Sequence, residues 1–214
     1  MSTSPPAARR RVPAGWVATA AIVALLVAMA VSTKYRSVEA AAAAAPKGFD
    51  PAAFGAENYD AKVVPAIKGN AVELPALLKA VEEDKEAAGQ KYGKRAGTGP
   101  YNFAVKGTGT AGKPTSGLLP VDVPGLPDGA KVYLQIGPAI NGTALRDSVG
   151  FITFGQFVNQ VDFADAATAL NDQMRQKLLN GLDIAALDGK KISFTGAFTL
   201  LTPATVTITP VAVS

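Results

Sequence analysis

The 46 residues from Gln135 to Asn180, QIGPAINGTALRDSVGFITFGQFVNQVDFADAATALNDQMRQKLLN, decide the fold of this chain. They contain a Gly-Pro turn, an Arg-Asp pair, an apolar run, an amide-rich segment and one amphipathic stretch. In that last stretch apolar residues recur at helical spacing and predict a helix over residues 162–180; they are Phe163, Ala166, Ala167, Leu170, Met174 and Leu178. The apolar stripe of this helix needs a partner, and neighbouring strands can provide it.

Segments that alternate apolar and polar residues lie on both sides of the helix. They predict six short strands, at residues 101–110, 118–123, 132–136, 149–154, 191–200 and 204–211. Gly107 and Gly109 in the first strand favour a bulge or bend where the sheet turns a corner. Six strands with one helix between the fourth and the fifth predict an α+β protein built on a small antiparallel barrel of the oligonucleotide/oligosaccharide-binding (OB) type.

The N-terminal part of the chain has the composition of a membrane segment. Residues 1–14 form a basic tail, and residues 15–33 follow without a charge over about the thickness of a bilayer. This pattern predicts an uncleaved signal anchor with the N-terminus in the cytoplasm and the rest of the chain in the periplasm or extracytoplasmic space. A cleaved secretory signal and a buried globular helix are the alternatives.

The remaining boundaries follow from changes in composition. Residues 34–48 are Ala-rich and predict a linker, and residues 49–96 predict a helical segment interrupted by Pro65 and Pro75. The barrel domain is expected to occupy residues 97–214. The chain of 214 residues is long enough for one such domain with accessory segments.

The net charge of +4 comes from the N-terminal part of the chain. From Ser37 onward, 16 Lys and Arg residues stand against 17 Asp and Glu residues. Binding to nucleic-acid phosphates requires a cluster of basic residues on the folded part. The charge distribution therefore argues against a nucleic-acid partner.

The absence of Cys and His restricts the chemistry that this chain can perform. It excludes thiol nucleophiles, Ser-His-Asp triads and the usual zinc ligand sets, so we predict no catalytic residue, metal or cofactor. The segment GTGTAGK at residues 107–113 has the glycine and lysine spacing of a phosphate loop. However, Pro114 stands where a Ser or Thr would bind magnesium, which argues against that reading.

Four polar residues in the central stretch are candidates for a ligand site. Arg146 could bind a carboxylate or stack on a sugar or aromatic ring, with Asp147 beside it. Asn159 and Gln160 present amides suited to sugar hydroxyls. Equally, Arg146 and Asp147 could anchor a neighbouring loop or helix end, and the amides could satisfy backbone groups. The ligand hypothesis places all four around a polar notch beside the helix.

Three motifs in order carry a resemblance to a known family. They are PYNFAVKGTGT, IGPAINGTALRDSVGFITFGQFVNQVDFADAATALN and DGKKISFTGAF. This part of the chain, about residues 49–201, resembles the bacterial predicted periplasmic lipoproteins known as domain of unknown function 2291. The resemblance implies an envelope protein, often encoded beside sugar ABC-transporter components, and carries over no catalytic residue. Because this chain has no Cys to acylate, its attachment would depend on residues 15–33.

Together these observations predict a single-pass protein of the bacterial inner membrane that binds rather than catalyses. It would serve as an accessory module linked to sugar ABC transport. One alternative is an enzyme acting on envelope carbohydrate through two carboxylates, such as Asp147 with Asp162 or Asp165. Another is a structural interaction protein with no pocket and one exposed apolar patch.

Overall fold

A computed structural model describes residues 14–32, 48–95 and 97–214 of the chain. These residues belong to two compact units, Met1–Gly48 and Phe49–Ser214. The predicted tail at 1–14 and linker at 34–48 lie almost wholly outside the described residues. The first unit contains one described helix, α1, at Ala14–Ser32.

The predicted membrane-spanning segment at residues 15–33 is not supported by this structure. Spanning a bilayer requires a helix of about 20 predominantly apolar residues. Within the described ranges, no helix combines the length and the apolar character needed to cross a membrane. The single-pass topology predicted from the uncharged run is therefore unsupported as well.

The described residues of the second unit form six α-helices and seven strands. Its helices are α2 (Pro51–Asn58), α3 (Val64–Asn70), α4 (Leu74–Glu83), α5 (Lys85–Tyr92), α6 (Ala144–Asp147) and α7 (Gln160–Lys177). Its strands are β1 (Val72–Glu73), β2 (Gly93–Lys94), β3 (Asn102–Ala111), β4 (Leu118–Asp122), β5 (Lys131–Gln135), β6 (Lys191–Thr199) and β7 (Thr205–Val213).

Five of these strands close into a barrel in the order β3–β4–β5–β7–β6, with β6 pairing back onto β3. All pairs are antiparallel except β5 with β7, which run parallel from Lys131 opposite Thr205. The helix α7 and the strand β6 lie between β5 and β7 in the chain. This connection returns β7 in the same direction as β5, so the barrel is not purely antiparallel as predicted. The predicted OB-like architecture, with one amphipathic helix between strands, is confirmed.

The segment 149–154, predicted as the fourth strand, is not a strand. Val149 and Ile152 are buried, whereas Phe151 and Phe154 are exposed. Gly150 adopts a φ of 78°, which interrupts an extended ladder. The two buried residues are three positions apart, which does not fit the alternation of a strand. The segment leads into a short 3₁₀ turn at Phe154–Gln156.

Alternation along the strands separates two apolar clusters. Side chains on one face of the barrel strands, including Phe103, Leu134 and Phe194, join the helix α4 in the first cluster. Side chains on the other face, including Ala104 and Ala197, pack with α3, α6 and α7 in the second. The helical segment 49–96 thus packs on the barrel.

Glycines permit two close approaches of the backbone. A Cβ on Gly109 of β3 would lie 2.4 Å from the carbonyl oxygen of Asp122 in β4. The bend predicted at Gly107 and Gly109 is not a bulge in β3, which pairs continuously with β6. The register shift occurs instead in β6 between Thr195 and Gly196, opposite the end of β7. There a Cβ on Gly196 would lie 2.4 Å from the carbonyl oxygen of Thr209.

Candidate functional site: a neutral polar pocket at the barrel

Arg146 and Asp147 form a partly buried ion pair within the short helix α6. The Nε and Nη2 groups of Arg146 donate to the two carboxylate oxygens of Asp147 at 2.7 and 3.1 Å. The second carboxylate oxygen also accepts the hydroxyl of Thr143 at 2.6 Å. The helical turn allows neighbouring side chains to pair, which an extended strand would not allow.

Arg146 also attaches α6 to the first turn of α7. Its Nη1 donates to the carbonyl oxygen of Phe163 at 2.7 Å, and its guanidinium carbon lies 3.4 Å from the centre of the Phe163 ring. Arg146 is only 6% exposed. Its donors on three nitrogens are therefore directed at protein acceptors, and the geometry favours the anchoring role over ligand binding.

Asn159 and Gln160 lie at the start of α7. The side-chain oxygen of Asn159 accepts the backbone N–H of Asp162 at 2.9 Å, and its amide donates to the Asp162 carboxylate at 3.1 Å. Asn159 is thus the N-cap of the helix, and Gln160, the first helical residue, is exposed. The structure brings Arg146 near the same helix end, through its hydrogen bond to the Phe163 carbonyl.

A pocket of about 570 Å³ lies elsewhere, where the end of β5 meets the start of β4 and the outer face of β7. Its walls come from residues 116–118, 139–144 and the end of β6. Seven polar side chains line it: Ser116, Gln135, Asn141, Thr143, Thr199, Thr207 and Thr209. No charged side chain lines it. Of the four candidates taken from the sequence, none contributes to this lining.

Gln135 organises one wall of the pocket. Its side-chain oxygen accepts the backbone N–H of Asn141 at 2.8 Å, and its amide donates to the Asn141 carbonyl at 2.9 Å. The same amide lies 2.9 Å from the hydroxyl oxygen of Thr209. Gln135 and Thr209 are 7% and 1% exposed. Because the hydroxyl oxygen accepts here, the hydrogen of Thr209 stays available for another acceptor.

A second buried amide holds the same loop from the helix side. Asn171 of α7 donates its side-chain amide to the carbonyl oxygen of Gly142 at 2.9 Å. Gly142 has a φ of 93°, in the region that favours glycine. The loop at residues 139–143 is thus fixed between the barrel and α7, so the pocket wall is already formed.

Ionisable groups with displaced pKa values lie outside this pocket. Burial raises the pKa of Tyr59, and the hydrogen bond from the Tyr101 hydroxyl is the largest cause that lowers the pKa of Glu86. Burial, followed by the bond to Glu86, raises the pKa of Tyr101. None of these residues lines the pocket. Perturbed ionisation is a frequent mark of a catalytic centre, and the pocket does not carry it.

Metal binding finds no support in the part of the chain that the structure describes. There, no group of three or more Asp, Glu, His or Cys side chains is placed to hold a metal ion. The pocket can supply amide and hydroxyl hydrogen bonds and apolar contact from Leu118, Ala139 and Leu201. That chemistry suits a neutral ligand that carries several hydroxyl groups.

Sequence reasoning did not single out Gln135, Asn141 or Thr209 as site residues. The available signal was the amide of Gln135, placed directly after an apolar strand and before Gly137-Pro138. Its partner Thr209 is 74 residues away in the sequence, so the pairing could not be predicted from spacing.

Comparison with known proteins supports both the fold and the family. The chain is similar to the crystal structure of an OB-fold protein from Thermotoga maritima, with a TM-score of 0.64 and 22% identity. The match covers 78% of this chain and 99% of that one. At this identity the similarity establishes the fold alone. No curated protein matches the chain.

The model of the predicted periplasmic lipoprotein family, domain of unknown function 2291, matches residues 20–214. The chain belongs to this family. The resemblance read from three sequence motifs is thereby confirmed. Family membership indicates a periplasmic protein associated with a membrane, although this member contains no cysteine that could carry a lipid.

Proposed function

We propose that this member of the predicted periplasmic lipoprotein family is a non-catalytic binding module whose pocket takes a small, neutral, polyhydroxylated ligand. The observation that carries the proposal is the lining of the 570 Å³ pocket by amides and Thr hydroxyls without a charged side chain. Ligand pockets in proteins commonly have volumes of about 300–1,000 Å³. A sugar or polyol of monosaccharide or disaccharide size fits this range.

The lining distinguishes between the two ligand classes that OB-type barrels bind. Such barrels bind oligonucleotides or oligosaccharides. Phosphate recognition uses Lys and Arg side chains, and the pocket lining has neither. A neutral hydroxylated ligand requires only uncharged donors and acceptors, such as the hydroxyl of Thr207 and the side-chain amide of Asn141, both exposed in the pocket lining.

The carboxylate enzyme considered from the sequence lacks a suitable pair in this pocket. Glycoside hydrolysis uses two carboxyl groups about 5–9.5 Å apart, and no Asp or Glu lines the pocket. A second, smaller groove of about 380 Å³ contains Asp165 and Asp172 of α7. These residues are two helical turns apart, about 10 Å along the axis, and Asp172 is already 3.2 Å from Arg175.

A sugar ABC transporter is the partner proposed for this module. The family resemblance implies that association, and a sugar-binding pocket in the periplasm is consistent with it. A pull-down from membranes with the full chain should recover transporter subunits, and recovery should increase when the sugar is present. Recovery of the same subunits with an unrelated protein of the same membrane would contradict the association.

Binding can be tested with the full chain and a panel of sugars and polyols. A ligand that binds only the native form raises the melting temperature in proportion to the logarithm of its concentration. We expect at least one mono- or disaccharide to do so, and calorimetry should give one site per chain. Failure of every compound to raise the melting temperature at concentrations of about 10 mM would remove the proposed ligand class.

Two Thr→Val variants on β7 distinguish pocket binding from binding elsewhere. Thr207 is exposed and lines the pocket, and its hydroxyl has no partner among the described residues. Thr207→Val should weaken sugar binding about three- to tenfold, the loss of one hydrogen bond. Thr205 is exposed on the same strand outside the pocket lining, so Thr205→Val should leave affinity unchanged. Equal effects of the two variants would place the ligand elsewhere.

A further inference from the structure

Apolar side chains are exposed around the start of α7, and none of them lines the pocket. Phe151, Phe154, Val158 and Val161 are 39%, 46%, 90% and 66% exposed. Together with the half-buried Phe157 they are called the aromatic surface below. Soluble proteins seldom leave neighbouring large apolar side chains exposed without a partner.

The aromatic surface is the outer part of a continuous group of rings. Phe154 contacts Phe163 at a centroid distance of 5.7 Å, and Phe163 contacts Phe157 at 5.3 Å. Phe157 in turn contacts Phe54 at 5.7 Å. The ion-paired guanidinium of Arg146 lies over the Phe163 ring. These contacts hold the loop in place, so its exposed apolar side chains have fixed positions.

The position at which the chain enters this unit indicates what covers the aromatic surface. Phe49, the first residue of the unit, packs on Phe157 with an edge-to-face geometry at 5.2 Å. Its ring also lies 5.5 Å from that of Phe54. Any attachment through residues that precede Phe49 therefore reaches the unit at the edge of the aromatic surface.

We propose that the aromatic surface inserts into the interfacial region of the membrane to which this family is attached. Family membership indicates membrane association, and the chain enters the unit beside Phe157. Phe, Val and similar side chains on amphipathic surfaces bury their apolar part at the boundary between headgroups and acyl chains. The same contact leaves Asn159 and Gln160, the polar residues of this loop, at headgroup level.

This contact gives the periplasmic unit a fixed orientation on the membrane. Four exposed apolar side chains are too few to anchor a protein alone, but a tethered unit needs little additional affinity, because the tether raises the effective concentration of its surface at the bilayer. The proposal does not depend on sugar binding. If the aromatic surface does not insert into a membrane, the sugar-binding proposal still stands. If the pocket binds no sugar, the insertion proposal still stands.

A tryptophan reporter in the full chain tests the insertion directly. The single native Trp, Trp16, is first replaced by Phe. Phe154→Trp then reports on the aromatic surface, and Leu201→Trp reports on an exposed apolar position beside the pocket, 75% exposed. Both variants are mixed with vesicles of phosphatidylcholine and phosphatidylglycerol, with and without brominated acyl chains.

We expect brominated lipid to quench the Phe154→Trp emission several-fold more than the Leu201→Trp emission, with a blue shift only in the former. Adding Val158→Asp and Val161→Asp to the Phe154→Trp variant should abolish the quenching. The variant should still cosediment with the vesicles, because the rest of the chain is unchanged. Both positions are exposed, so the charged variants should fold. The melting temperature of each variant without lipid checks this.

Three results would overturn the proposal. One is an unquenched Phe154→Trp in chains that cosediment with the vesicles. Another is the absence of any cosedimentation of the full chain. The last is a blue shift that appears without lipid and grows with protein concentration, which would assign the surface to a second copy of the chain.

Discussion

Arg146 and Asp147, adjacent in sequence, pair through two hydrogen bonds of 2.7 and 3.1 Å at the junction of α6 and α7. The Arg146 side chain is 7% exposed and the Asp147 side chain 20%. The pair was considered as a ligand site from sequence. In the structure it joins α6 to the carbonyl of Phe163 and supports the ring beneath the aromatic surface.

Removing the guanidinium should therefore destabilise the fold. Arg146→Ala leaves the partly buried Asp147 carboxylate without its ion-pair partner, with only the Thr143 hydroxyl as donor, and should lower the free energy of unfolding by about 3 kcal/mol. Urea titration would measure the change. The control is Arg175→Ala, because Arg175 forms an exposed pair with Asp172 and should cost at most about 1 kcal/mol. Similar losses in both variants would contradict the anchoring role.

Gln135→Leu should loosen the pocket wall. Leucine removes the donor and the acceptor that hold the backbone of Asn141 and leaves Thr209 without its bond. Unfolding should become easier by about 2 kcal/mol, and the Asn141 amide hydrogen should exchange faster. Thr207→Val, on the exposed face of β7, should change neither quantity. Unaltered exchange at Asn141 in Gln135→Leu would show that the loop is held by other groups.

The start of α7 offers a test of the Asn159 cap. Asn159→Ala removes the acceptor for the Asp162 N–H and should cost about 1 kcal/mol of unfolding free energy. Asn159→Ser retains a side-chain oxygen that can accept this N–H without placing a second carboxylate beside Asp162, and it should cost less. Gln160→Ala, one residue further, should be nearly neutral. Chemical denaturation of the three variants separates a capping role from a ligand role, since the latter predicts no ordering in stability.

Two helical glycines should respond to alanine with opposite sign. A Cβ on Gly55 of α2 would lie 2.9 Å from the carbonyl oxygen of Ala169 in α7, whereas a Cβ on Gly69 of α3 would meet nothing within 4 Å. Gly69→Ala should stabilise the protein by about 0.5–1 kcal/mol. Gly55→Ala should destabilise it because α2 and α7 must separate. Stabilisation by both changes, measured by thermal unfolding, would disprove the close approach.

The Tyr101 and Glu86 pair predicts a pH dependence. The Tyr101 hydroxyl lies 2.8 Å from a Glu86 carboxylate oxygen and lowers the pKa of Glu86 below its ordinary value of 4.5. A lowered pKa stabilises the fold above the ordinary value, and this contribution is lost as pH falls through the lowered one. The Tyr101→Phe variant should therefore have a lower melting temperature than the unmodified protein at pH 7, and the difference should narrow as the pH falls below 4.5. A difference that does not narrow in that range would exclude the coupling.

The barrel could be predicted from sequence because its signal is local. Alternating residues gave β3 to β7 nearly at their observed positions, and the stripe from Phe163 to Leu178 predicted α7. The segment 149–154 was wrongly predicted as a strand because β-branched and aromatic residues, which favour strands, are frequent in it. Its two buried residues, Val149 and Ile152, belong to the second cluster and are three positions apart, which does not fit strand alternation. The parallel pairing of β5 with β7 could not be predicted, because no pattern of neighbouring residues indicates which strands pair.

Prediction of the site was less successful because its polar residues meet only through the closed barrel. Gln135 and Thr209 lie on β5 and β7, and Asn171 reaches Gly142 across 29 residues. Arg and Asp side chains drew attention because their chemistry is strong, whereas buried amides and Thr hydroxyls are common in every sequence. The exposure of Phe154 and Val158 was equally hidden, since apolar residues are expected to be buried.

The pairing of β6 with β3 has a consequence for the order of folding. Asn102 and Thr199 face each other and share a side-chain hydrogen bond although 97 residues separate them. Barrels held by such distant partners assemble slowly, on about the millisecond-to-second scale. During synthesis the first three barrel strands emerge well before the last two. Until β6 and β7 are synthesised, the edges of β3 and β5 have no strand to pair with. Phe103 and Leu134 are then exposed and can form non-native contacts. A chaperone that shields these strands during this interval would raise the yield of native protein more than one acting on the helical segment 49–96.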